Sequence, residues 1–316
     1  MEAEGKLSVV IPCYNSEHSI RSVIEHNDSI FAGQGITDYE YILVNDCSKD
    51  KTSEVIRSMA GERKDITAID LAKNSGQHAA IMAGFRHASG DYVITCEDDG
   101  QTNMEVIGKM FDKLNEGYDV VSTYWVDRGK RSLFRKIGSK INYIVSDALL
   151  PNASGAEVSI FFLARRFIIE EIIRYNQPYP FVTGLVMRST ANIATVECVQ
   201  LPRQAGRSGY NFKKLFMLWL NSFTAFSIVP LRLSSFAGFI TAIAGMIYAV
   251  VIIVRKIISH DIAAGWSSTT SIILIISGLI LCALGIIGEY LGRIYMCINN
   301  TPQYIIKEIT RSSEDS

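Results

Sequence analysis

The 316-residue sequence lacks an excess of charge of either sign, since 31 lysines and arginines and 32 aspartates and glutamates give a formal net charge of −1. Proteins that bind nucleic acid usually carry a clear excess of basic residues, so we expect no nucleic-acid partner. Residues 236–254 and 262–288 contain no charged side chain at all, whereas charges are scattered throughout residues 1–232. The sequence therefore predicts a soluble domain followed by a membrane domain.

Paired cysteine spacing is also missing, because the six cysteines lie far apart and form no Cys-x-x-Cys pair. Zinc sites and the disulfide frameworks of small secreted proteins both require such spacing patterns, so we expect reduced cysteines. The N-terminal residues contain neither a basic segment nor an apolar run long enough for a signal peptide, and none is expected.

Each uncharged run is long enough to cross a bilayer, because about 20 residues rising ~1.5 Å each span the ~30 Å hydrocarbon core. Basic residues are slightly more numerous outside the two runs than in the short loop between them. This charge bias predicts a transmembrane hairpin over residues 233–292 with both ends in the cytoplasm. A pair of buried core helices is the alternative.

Apolar, β-rich runs alternate with helical patterns in the first part of the chain. We predict strands at residues 7–12, 39–46, 66–71 and 91–99, and helices from about residues 16 and 51 and over 77–88 and 104–115. Continuous apolar strands separated by helices are typical of a mostly parallel sheet covered on both faces. The predicted fold class is therefore α/β, doubly wound.

A polar cluster follows each predicted strand, at residues 12–15, 45–48, 73–77 and 97–101. Ligands of doubly wound sheets bind beyond the carboxyl ends of the strands, where these clusters would lie together. Each cluster alone is consistent with an ordinary turn, because Asn, Asp, Ser and Gly favour turns. Four in succession favour a binding site.

The stretches VVIPCYNSE, ILVNDCSKDKT, LAKNSGQHAAIMAGFRHASGDYVITCEDDGQ and RQAGRSGYNFKKL resemble the family 2 glycosyltransferases. The similarity is greatest to polyisoprenyl-phosphate glycosyltransferases of the dolichol-phosphate mannose synthase type, and among these to the bacterial undecaprenyl-phosphate enzymes. It covers nearly the whole chain, including the apolar runs and a closing PQYIIKE. It implies a GT-A fold, a nucleotide-sugar across the strand ends, the bacterial inner membrane, and a homo-oligomer, in this family a tetramer.

The chain then divides into four parts. These are a cytoplasmic GT-A domain (residues 1–210), an interfacial amphipathic helix (211–232), the transmembrane hairpin (233–292) and a cytoplasmic tail (293–316). The apolar segment before the hairpin begins with two lysines, as interfacial helices often do. A core helix of the soluble domain is the alternative for that segment.

The resemblance implies donor-binding roles at the strand ends. Segments that hold the base and ribose, or read the base, match Pro12, Tyr14, Asn15, Glu17, Asp46 and Ser48. A carboxylate accepts the N–H groups of a uracil or guanine edge, and a tyrosine ring covers the flat base. The third and fourth polar clusters add Gln77 and Asp98 to the donor-binding candidates.

Residues 97–101 match the DxD motif of the family, in which a glutamine follows two residues later. The resemblance implies Mg²⁺ or Mn²⁺ with Asp99 and Gln101 as ligands, and a catalytic role for Asp99. Hard divalent ions suit this setting because they bind few protein oxygens together with phosphates. Glu97 replaces the first Asp of the motif, which leaves its role open. Solvated acids at a helix start are the alternative.

Arg203, Arg207 and Ser208 match a family segment that folds over the donor diphosphate, which the planar fork of arginine binds well. Arg203 is expected to act catalytically by stabilising the leaving group. A basic loop near lipid headgroups is the alternative. Ser159 stands where related enzymes are proposed to have an acidic base, and Glu157 is the nearby acid and our candidate.

These features predict an inverting transferase that moves one sugar, from UDP-glucose or another UDP-hexose, to polyprenyl phosphate at the cytoplasmic face. An acceptor phosphate is largely ionised near neutral pH and needs little help from a base. Two alternatives stay open. The first is a transferase acting on a saccharide or lipid hydroxyl, and the second is a non-catalytic nucleotide-sugar-binding membrane partner.

Overall fold

The computed structural model describes residues 5–125, 158–199, 201, 229–259, 266–299 and 301–312. The chain divides into two compact units. The first combines residues 1–211 with residues 300–316, and the second comprises residues 212–299. Most of the predicted interfacial helix, at residues 211–228, lies outside the described residues.

An eight-stranded sheet forms the centre of the first unit, in the order β7-β5-β6-β4-β1-β2-β3-β8. The strands are β1 (Leu7–Cys13), β2 (Tyr39–Asn45), β3 (Ile66–Leu71), β4 (Tyr92–Thr95), β5 (Val120–Trp125), β6 (Phe162–Arg165), β7 (Ile193–Cys198) and β8 (Ile306–Thr310). Strands β6 and β8 pair antiparallel with their neighbours, and the other pairs are parallel. The prediction of a mostly parallel α/β sheet is confirmed.

The helices of the first unit cover both faces of this sheet. In the described part of this unit they are α1 (Ile20–Gln34), α2 (Thr52–Glu62), α3 (Gln77–Phe85), α4 (Ile107–Asn115), α5 (Arg166–Ile173) and α6 (Val182–Ser189). The odd-numbered side chains of β1 share a core with α1, α2 and α4. On the other face α3 packs so closely that a Cβ atom added at Gly84 would collide with Val10. Strand β1 is therefore buried along its whole length, as its continuous apolar sequence predicts.

Several element boundaries differ from the sequence prediction, and one strand that was not predicted lies near the end of the chain. Strand β4 ends at Thr95 rather than at residue 99, and α1 begins at Ile20 rather than near residue 16, because loops occupy the intervening polar residues. The predicted tail, residues 293–316, contains β8, which pairs antiparallel with β3. Its residues Lys307, Glu308 and Ile309 are exposed at the sheet edge. Local sequence carries little signal for such a strand, because an exposed edge strand needs no continuous apolar run. Its pairing partner lies more than 230 positions earlier.

The second unit consists of two long helices in its described part, α7 (Val229–Ser259) and α8 (Trp266–Ile298). Large apolar side chains are exposed along both helices. In that described part, one segment is long and apolar enough to cross a membrane, Ile275–Ile298, with a mean hydropathy of 1.9. A shorter apolar stretch, Gly238–Tyr248, lies in α7. The two-span topology stays a prediction, because α7 supplies only this shorter stretch.

Candidate active site

The loop that follows β1 is held by side chains at the ends of neighbouring strands. Four consecutive backbone N–H groups of the loop donate to side chains: Tyr14 to Asp98 Oδ2 (2.8 Å), Asn15 to Ser48 Oγ (3.0 Å), Ser16 to Thr52 Oγ1 (2.8 Å) and Glu17 to Asp50 Oδ2 (3.2 Å). Four consecutive amides without helix or sheet partners are thus all satisfied. The loop is anchored to the ends of both β2 and β4.

The loop after β2 is bound in return. Asn15 Oδ1 accepts from the backbone N–H of Lys49, and Glu17 Oε2 accepts from that of Lys51, both at 2.9 Å. Asn15 adopts a φ of 56°, a left-handed conformation that asparagine tolerates better than most residues. Ser48, besides accepting from Asn15, donates to Asn45. Three donor-binding candidates, Asn15, Glu17 and Ser48, therefore join the two loops into one framework.

Tyr14 and Pro12 occupy different environments within the same stretch. Pro12 is buried in β1 opposite Val44 of β2, whereas the Tyr14 side chain is 45% exposed at the carboxyl end of the strands. An exposed aromatic ring on a firmly held loop is well suited to cover a flat base. The geometry thus favours Tyr14 over Pro12 for direct contact with a ligand.

Asp46, the acidic residue after β2, is buried and serves a neighbouring loop. Its Oδ1 accepts from the N–H of Ser75 at 2.6 Å and its Oδ2 from that of Gly76 at 2.8 Å. Burial raises the pKa of Asp46, and the two backbone hydrogen bonds partly offset that rise. The carboxylate lies at the N-terminus of α3, where the helix dipole favours negative charge. Asp46 therefore sets the position of the loop that leads into Gln77.

His78 was not among the residues that the sequence singled out. It follows Gln77 in the first turn of α3, and its Nδ1 accepts from the N–H of Val182 at 3.3 Å. Its ring meets Phe181 edge to face, with centroids 5.2 Å apart. Burial lowers the pKa of His78 to about 4, so the ring is neutral and carries its proton on Nε2. Its position beside the third polar cluster was the available signal.

The acidic loop after β4 is held by hydrogen bonds between its backbone N–H groups and its own side chains. Asp99 Oδ1 accepts from the N–H of Gln101 at 3.0 Å, and the N–H of Glu97 donates to Thr102 at 3.1 Å. Burial raises the pKa of the Asp98 carboxyl, which accepts from Tyr14. The chain after β7 also reaches this loop, because the N–H of Leu201 donates to the carbonyl of Gln101 at 3.1 Å.

The side-chain oxygens of this loop fit a hard divalent ion that takes most of its ligands from phosphates and water. Within the described ranges no three His, Cys, Asp or Glu side chains are grouped closely enough to hold a metal by themselves. Mg²⁺ is commonly held by one or two carboxylates together with phosphates and water. Asp99 and Gln101, which lie in one turn, match that pattern.

Ser159, which occupies the position considered for a base, is hydrogen-bonded to residues in β5 and directly before β6. Its hydroxyl donates to the carbonyl of Phe161 at 2.8 Å and lies 3.0 Å from the hydroxyl of Thr123. A hydroxyl held in this way is a poor proton acceptor. The remaining predicted site residues, namely Glu157, Arg203, Arg207 and Ser208, lie outside the described residues.

Two families match the chain. Residues 8–173 match Glycosyl transferase family 2, and residues 229–294 match the GtrB C-terminal hairpin. Similar proteins include an uncharacterized glycosyltransferase, YkcC, of Bacillus subtilis, which is 33% identical over 98% of this chain and 95% of its own length. The undecaprenyl-phosphate 4-deoxy-4-formamido-L-arabinose transferase of Proteus mirabilis is 35% identical over 98% and 95%, respectively.

The solved structures that resemble the chain are more distant. Glucosyl-3-phosphoglycerate synthase of Mycobacterium tuberculosis, in complex with Mn²⁺, UDP-glucose and phosphoglyceric acid, has a TM-score of 0.50 and 18% identity. The match covers 69% of this chain and 79% of that one. At this identity the likeness shows a common fold.

Proposed function

The chain belongs to glycosyl transferase family 2, as its motifs imply, and we propose that it transfers one sugar from a nucleotide-sugar to polyprenyl phosphate. The product is a lipid-linked monosaccharide. The observation that carries this proposal is the similarity, over nearly the whole chain, to transferases named for undecaprenyl phosphate. That similarity extends through the hairpin, which the family of residues 229–294 also matches.

The surroundings of Ser159 support a phosphate acceptor. An alcohol must lose its proton as it attacks, and a general base usually assists. In the part of the site that the structure describes, the position considered for that base is a serine that already donates to Phe161. A phosphate monoester is largely ionised near neutral pH, since its second pKa is about 6. Glu157 remains our candidate should a base take part.

The proposed reaction is a single displacement. An acceptor phosphate oxygen attacks the anomeric carbon, the bond from that carbon to the donor diphosphate breaks, and the nucleoside diphosphate leaves, so the anomeric configuration inverts. When bound, Mg²⁺ or Mn²⁺ supplies Lewis-acid stabilisation of the leaving group. Asp99 and Gln101 are the proposed ligands, and Arg203, Arg207 and Ser208 the proposed contacts of the diphosphate. The bond from Leu201 to the acidic loop supports this, because Arg203 follows two residues later.

For the donor we propose UDP-glucose or another UDP-hexose. The proposed base pocket is lined by the ring of Tyr14 and shaped by Asp46, which holds the loop preceding α3. In this proposal Asn15, Glu17 and Ser48 contribute to donor binding by joining the loops after β1 and β2. In this proposal Gln77 and Asp98, which follow the third and fourth strands, contribute to binding of the sugar and the diphosphate.

We propose a bacterial inner-membrane protein with two spans, a cytoplasmic catalytic domain and a tetrameric assembly. The exposed apolar side chains of α7 and α8 support the membrane part of this proposal. Carbonate washing of membranes tests it directly, since a hairpin that spans the bilayer stays in the pellet. Recovery of the protein in the supernatant would contradict an integral anchor.

The decisive experiment incubates purified full-length protein with a panel of radiolabelled nucleotide-sugars and undecaprenyl phosphate in detergent micelles. We expect organic-phase label with one donor and none when undecaprenol replaces the phosphate. Asp99→Asn serves as the inactive control. Label in a saccharide or in undecaprenol would favour a hydroxyl acceptor, and nucleotide binding without any transfer would favour a non-catalytic partner.

A further inference from the structure

Three polar residues lie side by side across the edge of the sheet. Asn45 of β2 is opposite Asp70 of β3, and Asp70 is opposite Glu308 of β8. Asn45 and Asp70 are buried, whereas the side chain of Glu308 is about half exposed. A buried carboxylate requires partners, because its desolvation is otherwise costly.

The side chain of Arg57, in α2, binds two members of this row, Asp70 and Glu308. Its Nε lies 2.7 Å from Asp70 Oδ2, and its Nη1 lies 3.1 Å from Glu308 Oε2. The other oxygen of Asp70 accepts from Asn45 Nδ2 at 2.6 Å. One guanidinium thus binds two carboxylates on adjacent strands, which the planar fork of arginine permits and a lysine ammonium does not reproduce.

The row continues into the loops of the candidate active site. Asn45 Oδ1 accepts from both the N–H and the hydroxyl of Ser48, at 3.0 Å and 2.5 Å. The Ser48 hydroxyl accepts from the N–H of Asn15 at 3.0 Å. An unbroken series of contacts therefore runs from Glu308 through Arg57, Asp70 and Asn45 to the loops after β1 and β2.

Residues just before β8 form hydrogen bonds with two further segments of the first unit. The carbonyl of Ile305 accepts from the N–H of Ala72 at 2.7 Å, directly before the loop that Asp46 anchors. Gln303 Nε2 donates to the carbonyls of Tyr175 and Gln177, both at 2.8 Å. The return segment, residues 303–310, therefore contacts the rest of the first unit at three places, two of which, at Arg57 and Ala72, adjoin the loops of the candidate active site.

We propose that Arg57, Asp70 and Glu308 are positioning residues for the nucleotide-sugar, through which the return segment keeps the loops after β1 and β2 in their binding conformation. The inference rests on the proposed function for the identity of the ligand. None of the three touches the proposed reacting atoms. Their loss loosens the loops, so each binding event must order them again, which weakens binding and leaves the chemical step intact.

The test measures uridine diphosphate binding, in the presence of Mn²⁺, by calorimetry on the full-length protein in micelles. For Arg57→Ala we expect a Kd raised about tenfold, with kcat at saturating donor within about twofold of the wild type. Arg57→Lys should be intermediate, because a compact ammonium keeps the charge and does not reproduce the planar fork of the guanidinium. Arg21→Ala is the matched control, since it removes another arginine–carboxylate pair, with Glu62, outside the row.

Glu308→Gln keeps the proposal testable if Arg57→Ala does not fold, because Glu308 is half exposed. We expect its Kd to rise about two- to threefold, against no change for the neighbouring Lys307→Ala. An unchanged Kd in folded Arg57→Ala or in Glu308→Gln would overturn the positioning role, as would a fall in kcat alone. Binding that responds as expected in a protein that transfers no sugar would instead refute the proposed function. Wild-type protein that binds neither uridine nor guanosine diphosphate would overturn both.

Discussion

The carboxylate of Asp98, after β4, accepts a 2.8 Å hydrogen bond from the backbone N–H of Tyr14, after β1. The backbone of Asp98 is held as well, because its carbonyl accepts from the Ser19 hydroxyl at 2.7 Å. The acidic loop and the loop that presents the Tyr14 ring therefore occupy a fixed relative position. The proposed nucleotide-sugar, with its base near Tyr14 and its diphosphate near the acidic loop, requires such a fixed spacing.

Two substitutions of Asp98 distinguish its role as a hydrogen-bond acceptor for Tyr14 from the effect of its charge. Asp98→Ala removes the acceptor from the backbone N–H of Tyr14, a hydrogen bond to a carboxylate, which should cost about 1–3 kcal/mol of stability and raise the donor KM. Asp98→Asn retains an acceptor and removes a carboxylate whose pKa burial raises, so its stability should equal or exceed that of the wild type. Thermal unfolding and donor titration give both quantities. Equal losses in the two variants would contradict a role based on the acceptor.

Asp46→Asn tests whether Asp46 reads the base or positions a loop. Both oxygens accept backbone N–H groups, and the amide of asparagine offers only one acceptor, so either Ser75 or Gly76 loses its partner. We expect binding of uridine, cytidine and guanosine diphosphates to weaken by a similar factor, about five- to tenfold. Calorimetry with the three nucleotides is the measurement. A loss confined to one base would show that Asp46 contacts the base itself.

Removal of divalent metal should abolish transfer. Excess chelator is expected to stop sugar transfer, and Mg²⁺ or Mn²⁺ should restore it, because the two proposed ligands, Asp99 and Gln101, are too few to retain an ion tightly. Asp99→Asn should lose most activity while its unfolding temperature stays near that of the wild type. The exposed Glu105→Gln is the control. Full activity in chelator would rule out the metal role.

Acid should destabilise the protein through His78. Its pKa is about 4 in the folded state, below the usual value of 6.5, so its contribution to stability is complete above about pH 6.5 and is lost as the pH falls toward 4. The loss amounts to at most about 3 kcal/mol. His78→Asn, in which an amide oxygen replaces Nδ1 as acceptor, should lack this part of the pH dependence.

Thermal unfolding at about pH 7 and about pH 4.5 compares the two proteins. The exposed His26→Asn is the control and should follow the wild type. Parallel loss of stability in wild type and His78→Asn would show that His78 is not responsible.

Much of the catalytic fold was predictable from residues 7–115. Strand β3 has the predicted bounds, and β1 and β2 differ from theirs by one residue, because continuous apolar runs in β-rich sequence are a strong local signal. The strand-end clusters are brought together as expected, since parallel strands place their carboxyl ends at one edge. Strand β8 was missed because an edge strand with exposed Lys307 and Glu308 has no apolar pattern.

The sequence by itself determined the fold class, the family, the uncharged runs and the position of the acidic loop, because each depends on local composition or on a short motif. Only the tertiary structure decided which polar residues hold neighbouring loops and which are exposed to a ligand. Asn15, Glu17 and Ser48 join the loops after β1 and β2, and Asp46 holds the loop before α3. His78 and Arg57 were identified only from contacts between distant segments. A side chain with hydrogen-bonding groups has the same sequence signature whether it binds a ligand or a neighbouring backbone. Its partner is selected by packing, which brings together residues far apart in the chain.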